Sequence, residues 1–282
     1  MVSIIILSYN RSDLLKECLR SIYKVINKSV EVIVVDNNSS DDSVQMVKEK
    51  FKQVQLVENT TNAGFAGGCN LGAKHAKGKY LLFVNSDTEF TTNPIPPLVQ
   101  TFEDHEDAGI VGGLLEDFNG SLQRSFGSFY TLKNVVYLLF AGESGELKRF
   151  KSDSVQITDW VSGGFMMAKK EKFDSVSGFN ESYFMYIEDM DLCYRIRKKG
   201  FSVYVNPHSR IKHLGQGSSN KTFAIVQIYK GLQIFYKQQR SRLAYYVLKL
   251  LLFIKAFVSL VVGLVTLNKY LIRTYSGALK TL

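Results

Sequence analysis

Short apolar runs alternate with amphipathic or glycine-rich stretches through the first half of the chain. "VSIIILSY" (2–9), "VEVIVVD" (30–36), "VQLVE" (54–58) and "YLLFVN" (80–85) are apolar segments of strand length, and "AGIVGGLL" (108–115) makes a fifth. Between the first two, Leu14, Leu15, Cys18, Leu19, Ile22 and Tyr23 recur at the spacing of one helix face. "SSDDSVQMVKEKF" (39–51) begins with Ser39 and Asp42 at capping-box spacing, which predicts a helix from there. "NAGFAGGCNLGAKHAKGK" is a glycine-rich turn leading into another helix. Strand alternating with helix predicts an α/β fold with parallel pairing and right-handed crossovers. Ligands of such sheets gather beyond the carboxyl ends of the strands.

Three polar residues fall just past such ends: Asp36, Asn62 and Asp87. Each also has a purely local reading. Asp36 in "DNNSSDDS" can close a turn or cap the next helix, "NAGFAGG" can be a tight turn, and Asn85-Ser86-Asp87 can form an Asx-turn. The glycine-rich loop lacks the G-x-G-x-x-G order that a dinucleotide fold places after its first strand.

In the second half, Leu192, Cys193 and Ile196 follow "YIEDMD" at helical spacing, and Gly200 supplies a stop. Glu188 and Asp189 therefore sit in the first turn of a helix, where the dipole alone favours acids. The apolar Tyr183–Ile187 segment precedes them. Partial burial raises a carboxyl pKa and a helix start lowers it, so a base tuned between the two is expected. Gly163 and Gly164, in "WVSGGFMMA", leave room for a ligand or serve close packing.

In order along the chain, "SIIILSYNR", "VIVVDNNSSDDS", "NAGFAGGCN", "LLFVNSD", "WVSGGFMMAKKEKFDSVSGFNESYFMYIEDMDLCYRIRKKG" and "PHSRIKHLG" resemble the motifs of family 2 (GT-A fold) glycosyltransferases, most of all bacterial rhamnosyltransferase-like members. The resemblance covers roughly residues 2–220. It implies a GT-A catalytic domain over 1–218, with a nucleotide-sugar half (1–115) and an acceptor half (116–218). It also implies roles. Tyr9 and Asp36 hold the base of the nucleotide; Asn62 and the backbone from Gly64 support the nucleoside and phosphates. Asp87 binds a divalent metal, Mg²⁺ or Mn²⁺, on the diphosphate. Asp189 is the general base, with Glu188 beside it, and His213 is a further metal ligand. The family's usual metal motif has two aspartates around one residue; here Asn85 stands at the first, offering a carbonyl oxygen but no charge. Arg124 is a candidate contact to an acceptor diphosphate, or a solvated surface residue.

Charge divides the chain. All 26 acidic residues lie at or before Asp191, against 19 Lys and Arg, a net of −7; beyond it 16 Lys and Arg meet no acid. Such a segment seeks an anionic partner. It contains Leu243–Leu267, a long apolar stretch interrupted by Lys249 and Lys255 and flanked by basic residues. That pattern predicts a helical tail (219–282) lying on or shallowly inserted in an anionic membrane surface, with a single spanning helix or a buried dimerisation helix as alternatives. Nucleic acid is not expected, because the bases flank an apolar helix instead of interleaving with aromatics on a strand platform. The three scattered cysteines suit reduced thiols, and no two are close enough in sequence for a zinc site. The apolar run after Met1 is too short for a signal peptide.

Together these features point to an inverting transferase that moves a sugar, on analogy rhamnose, from a UDP- or dTDP-sugar to a lipid-linked saccharide on the cytoplasmic face of a membrane. A nucleotidyltransferase and a non-enzymatic membrane- or nucleic-acid-binding scaffold are the alternatives.

Overall fold

The structure, a computed structural model, describes residues 1–26, 30–140, 154–215 and 220–282. The first half runs β1 (Val2–Ser8), α1 (Ser12–Val25), β2 (Val30–Asp36), α2 (Ser43–Lys50), β3 (Gln55–Glu58), α3 (Gly64–His75), β4 (Tyr80–Asn85), β5 (Thr88–Glu89), α4 (Ile95–Asp104) and β6 (Ala108–Glu116). The second runs β7 (Phe126–Gly127), α5 (Leu132–Phe140), β8 (Gln156–Thr158), β9 (Trp160–Val161), β10 (Phe165–Lys169), α6 (Lys170–Ser175), α7 (Glu188–Lys198) and β11 (Ser202–His213). Three helices follow: α8 (Lys221–Gln239), α9 (Arg242–Val265) and α10 (Lys269–Leu279).

The main sheet has the order β3-β2-β1-β4-β10-β6-β11-β5, with β8 paired to β11. Strands β1, β2, β3 and β4 pair in parallel, as the alternation predicts, and so do β6 and β11. Strand β10 departs from that plan and enters antiparallel between β4 and β6. The chain enters β10 from the carboxyl end of β4, after the β7–β9 pair, and so runs back along that strand. Phe165 opens β10 opposite Val84 and Lys169 closes it opposite Tyr80.

Every second residue of the central strands faces the same way, which gives two cores. Ile4 and Ile6 of β1 pack with α1, α2 and α4 on one face; Ile5 packs with α3 and α7 on the other. The expected Ser39–Asp42 capping box is absent. Helix α2 begins at Ser43, whose amide and hydroxyl both donate to Asp41 Oδ1. Ser39 is used instead in the loop after β2: its amide donates to Asp36 Oδ2 and its hydroxyl accepts from the Asn10 amide.

The expected boundary between catalytic unit and tail, at 218, lies outside the described residues. Beyond it, α8 buries Leu232, Phe235 and Tyr236 in the same core as α7, and α9 buries Leu248, Leu252 and Ala256 there. Fully burying one Leu or Phe contributes about 1.5–3 kcal/mol, so this docking is substantial. The other side of α9 is apolar too: Leu243, Tyr246, Leu250, Phe253, Phe257 and Val261 are exposed. Among the described residues α9 is the one helix long and apolar enough to cross a membrane.

Candidate active site

A cavity of about 960 Å³ opens at the carboxyl edge of the sheet. Tyr9, Asn62, Gly64, Asn85, Asp87, Gly163, Gly164, Glu188 and Asp189, all singled out from the sequence, line it. Asp36 and His213 stand immediately behind.

One wall is built on Asn37, which the sequence reading passed over. Asn37 is buried at the end of β2. Its Nδ2 donates to Asn62 Oδ1 at 2.8 Å and to the Gly64 carbonyl at 3.1 Å; its Oδ1 accepts from Asn59 Nδ2 and the Ala63 amide. Asn62 Oδ1 also accepts from the Gly64 amide. The loop after β3 is thereby fixed to the end of β2 before any ligand binds. Asp36, also buried, keeps Oδ1 without a hydrogen-bond partner among the described residues. An orphaned buried carboxylate oxygen invites a donor. Tyr9 is half exposed at the rim.

Gly64 has φ +69°, and a side chain there would strike the Phe184 carbonyl. That carbonyl accepts the Phe65 amide at 2.7 Å, which clamps the loop before α7 onto the start of α3. In that loop Tyr186 and Ile187 both have positive φ, 68° and 73°. A β-branched residue there is strained. The strain persists because α8 presses from outside: Gly231 comes so close that an added Cβ would sit 2.8 Å from Ile187 Cγ1.

At the end of β4, His213 Nε2 lies 3.2 Å from Asp87 Oδ1 and 3.1 Å from Asn85 Nδ2. Its Nδ1 is 2.6 Å from Gln123 Oε1. The Gln123 amide nitrogen donates to the His213 carbonyl at 2.8 Å and to Asp117, which fixes the amide's orientation. An oxygen acceptor therefore faces Nδ1, which donates to it, and Nε2 is left beside the Asp87 carboxylate. An imidazole nitrogen and a carboxylate oxygen 3.2 Å apart suit a cation between them. Asn85 offers its carbonyl oxygen to the same point once its amide turns over. Donors of this type fit Mg²⁺ or Mn²⁺, with diphosphate and water completing the set. Gln123 was not legible as a site residue, since nothing in "GSLQRS" distinguishes it from a loop glutamine.

In the same cavity, Asp189 Oδ2 accepts the Gly163 amide hydrogen at 3.1 Å, and Oδ1 accepts that of Met190 at 2.7 Å. Burial raises the Asp189 pKa, and these backbone bonds oppose the rise. Sequence had posed the two effects against each other; in the fold burial prevails. Glu188 is buried and raised well above the ordinary carboxyl value, first by burial and then by the charge of Asp189. Its Oε2 has no hydrogen-bond partner among the described residues. Asp191 is fully buried and structural: it pairs with Arg195 Nε at 2.7 Å and accepts from Gln239 Nε2 of α8 at 3.2 Å.

Gly163 and Gly164 serve packing and access together. Added Cβ atoms would lie 2.8 Å from the Phe65 ring and 2.9 Å from Asn85 Nδ2, yet both glycines line the cavity. Helix α8 also contributes to the lining, through Phe223 and Ile228. Nothing in the sequence placed that helix at the site.

The sequence model of the glycosyl transferase family 2 matches residues 3–189, which hold every lining residue discussed above except Met190, Phe223 and Ile228. The chain belongs to glycosyl transferase family 2. It is thus a glycosyltransferase. This transferase is 25% identical over 233 residues to the N-acetylglucosaminyl-diphospho-decaprenol L-rhamnosyltransferase of Mycobacterium tuberculosis H37Rv, covering 76% of each chain. It is 25% identical over 233 residues to the rhamnosyltransferase WbbL of Escherichia coli K12, covering 79% of this chain and 87% of that one. Among solved structures, a mannosyltransferase of Pyrobaculum calidifontis in complex with GDP-Man and Mn²⁺ superposes with a TM-score of 0.60 at 16% identity, over 99% of this chain and 86% of that one. The transferase has the GT-A type of fold: a mostly parallel sheet flanked by helices, with an apolar C-terminal helix.

Proposed function

We propose that the enzyme transfers a sugar, with inversion, from a UDP- or dTDP-sugar to a hydroxyl of a lipid-linked saccharide in cell-surface polysaccharide synthesis. Rhamnose is the favoured sugar, since both relatives named above are rhamnosyltransferases. The observation that carries the reading is the placement of Asp189. One carboxylate, raised by burial and held by the Gly163 amide, shares a single cavity with Asn85 and Asp87.

In this mechanism Tyr9 stacks on the base and the orphaned Asp36 oxygen accepts its imide N–H. Asn62 and the Gly64 turn hold the ribose and phosphates. Asp87, His213 and the Asn85 carbonyl would hold Mg²⁺ or Mn²⁺, which would supply positive charge against the departing diphosphate. The acceptor hydroxyl oxygen attacks the anomeric carbon as the bond to the phosphate oxygen breaks. Asp189 takes the hydroxyl proton as that bond forms, and the nucleoside diphosphate leaves with the electron pair. One displacement inverts the centre and needs one base. Glu188, whose pKa burial raises, can in its protonated form donate a hydrogen bond from its orphaned side without competing for that proton.

The exposed apolar face of α9 and its flanking Arg242, Lys269 and Arg273 support a seat on the cytoplasmic face of a membrane, where lipid-linked acceptors and nucleotide sugars meet. A panel of nucleotide sugars, screened by thermal shift with Mg²⁺ or Mn²⁺ and then by transfer to a lipid-linked acceptor, tests the reading. A metal-dependent shift with a UDP- or dTDP-sugar and a glycosylated lipid product are expected. A protein that binds no nucleotide sugar under either metal would end it.

A further inference from the structure

The sugar site accounts for one part of the cavity. Arg124 lines another part, together with Tyr130, Leu138, Trp160 and Ile228. Its guanidinium carbon lies 5.5 Å from the Tyr130 ring centroid and 5.7 Å from that of Trp160. Two rings thus hold a permanent, flat cation in place. Trp160 is itself anchored, its indole N–H donating to the Ser128 carbonyl at 3.1 Å. Three residues further on, Gly163 donates to Asp189. The cation therefore stands on the side of the base. Gln123, its neighbour in the chain, holds His213.

Beyond Arg124 the wall becomes apolar. Leu138 of α5 faces the cavity, while Val136 and Tyr137 of the same helix are exposed. Helix α5 packs against α9, whose outer face carries Phe253 and Phe257. Base, cation and the apolar Leu138 line one cavity, and the helix that carries Leu138 packs on α9. A saccharide joined through a diphosphate to a long hydrocarbon has the same three parts in the same order.

We infer that Arg124, set against the rings of Tyr130 and Trp160, is the subsite for the diphosphate of the lipid-linked acceptor, and that the acceptor's hydrocarbon leaves over α5 toward the outer face of α9. The inference rests on the acceptor class proposed above. A diphosphate also occurs in the donor, but Asp87 and His213 already provide a cation site for that one. A guanidinium gives two parallel N–H donors to phosphate oxygens, whereas lysine gives only a point charge.

Trp160 is the chain's single tryptophan, so its fluorescence reports directly on this subsite. The full chain, Arg124→Gln and Arg124→Lys are each titrated with farnesyl diphosphate, with farnesol, and with UDP plus Mn²⁺. The wild type is expected to bind farnesyl diphosphate more tightly than farnesol. Arg124→Gln should weaken farnesyl diphosphate by about tenfold or more, the scale of one charge-assisted contact, and leave farnesol and UDP–Mn²⁺ unchanged. Arg124→Lys should keep part of the preference, which separates lost charge from lost folding. Equal binding of farnesyl diphosphate and farnesol by the wild type would overturn the inference. So would an Arg124→Gln variant that loses UDP–Mn²⁺ affinity instead, since the arginine would then serve the donor. If the subsite behaves as expected while the wild type transfers sugar to no lipid-linked acceptor, the subsite stands and the proposed reaction falls.

Discussion

The Gly163 amide and the Asp189 carboxylate are joined at 3.1 Å across 26 residues of chain. The bond ties the turn before β10 to the first turn of α7, so the strand that runs against the parallel plan also positions the carboxylate proposed as the base. Close packing makes the joint rigid: Gly163 touches the Phe65 ring, and Phe65 is bonded through its amide to the loop that carries Ile187.

Glu188 should cost stability as pH rises. Burial, then the charges of Asp189 and Asp191, place its pKa well above 4.5. The native state therefore holds this proton more tightly than the unfolded chain. Stability linked to it is full below pH 4.5 and is lost as pH climbs through the native titration. Glu188→Gln cannot ionise. It should melt above the wild type at neutral and mildly alkaline pH, with the gap closing toward acid. A melting difference that stays constant with pH would show that Glu188 is not held protonated.

Gln123→Met removes the acceptor that orients His213 while keeping the side chain's bulk. Metal-dependent UDP binding, followed by calorimetry against Mn²⁺, should weaken about 10–100-fold, as for other groups that orient a ligand. Asn85→Asp should move the other way, because it adds a carboxylate beside Asp87. Unchanged Mn²⁺ dependence in both variants would remove this cluster from metal binding.

The membrane seat is tested without truncation, since α9 buries Leu248, Leu252 and Ala256 in the core. Phe253→Asp with Phe257→Asp alters only the exposed side, where these rings are 48% and 51% accessible. The wild type should sediment with anionic vesicles, and less so at high salt, each basic residue near the surface being worth about 1 kcal/mol. The double variant should remain in the supernatant yet still bind UDP with Mn²⁺. A wild type that stays in the supernatant at both salts would refute the membrane reading.

The strands and the polar residues at their ends were legible because burial and period act locally: "VEVIVVD" must be a core strand, and Asp36 must fall at its edge. What stayed hidden depends on partners distant in sequence. Asn37 looks like one more loop asparagine until Asn59, Asn62 and Ala63 converge on it. Gln123 gains a role only because β11 returns His213 to the end of β4. The antiparallel β10 could not be read from "FMMAK", since direction follows from where the preceding excursion leaves the chain. The reading of α9 as apolar was local and clear. That one side of it would be packed inward required the core cluster around Phe235 and Leu248.

The central claim is that Asp189 takes the acceptor's proton in a single displacement. The measurement that meets it most directly is the transfer rate of Asp189→Asn against the wild type, on a lipid-linked acceptor with Mn²⁺, beside donor affinity and a pH profile. Asparagine keeps the size of the side chain and an oxygen acceptor for the Gly163 amide but cannot take a proton. Turnover is expected to fall by about 10² or more with donor affinity held. The wild-type rate should itself fall toward acid through a pKa above 3.8, the direction in which burial moves this carboxyl. An Asp189→Asn enzyme that turns over near the wild-type rate would contradict the account.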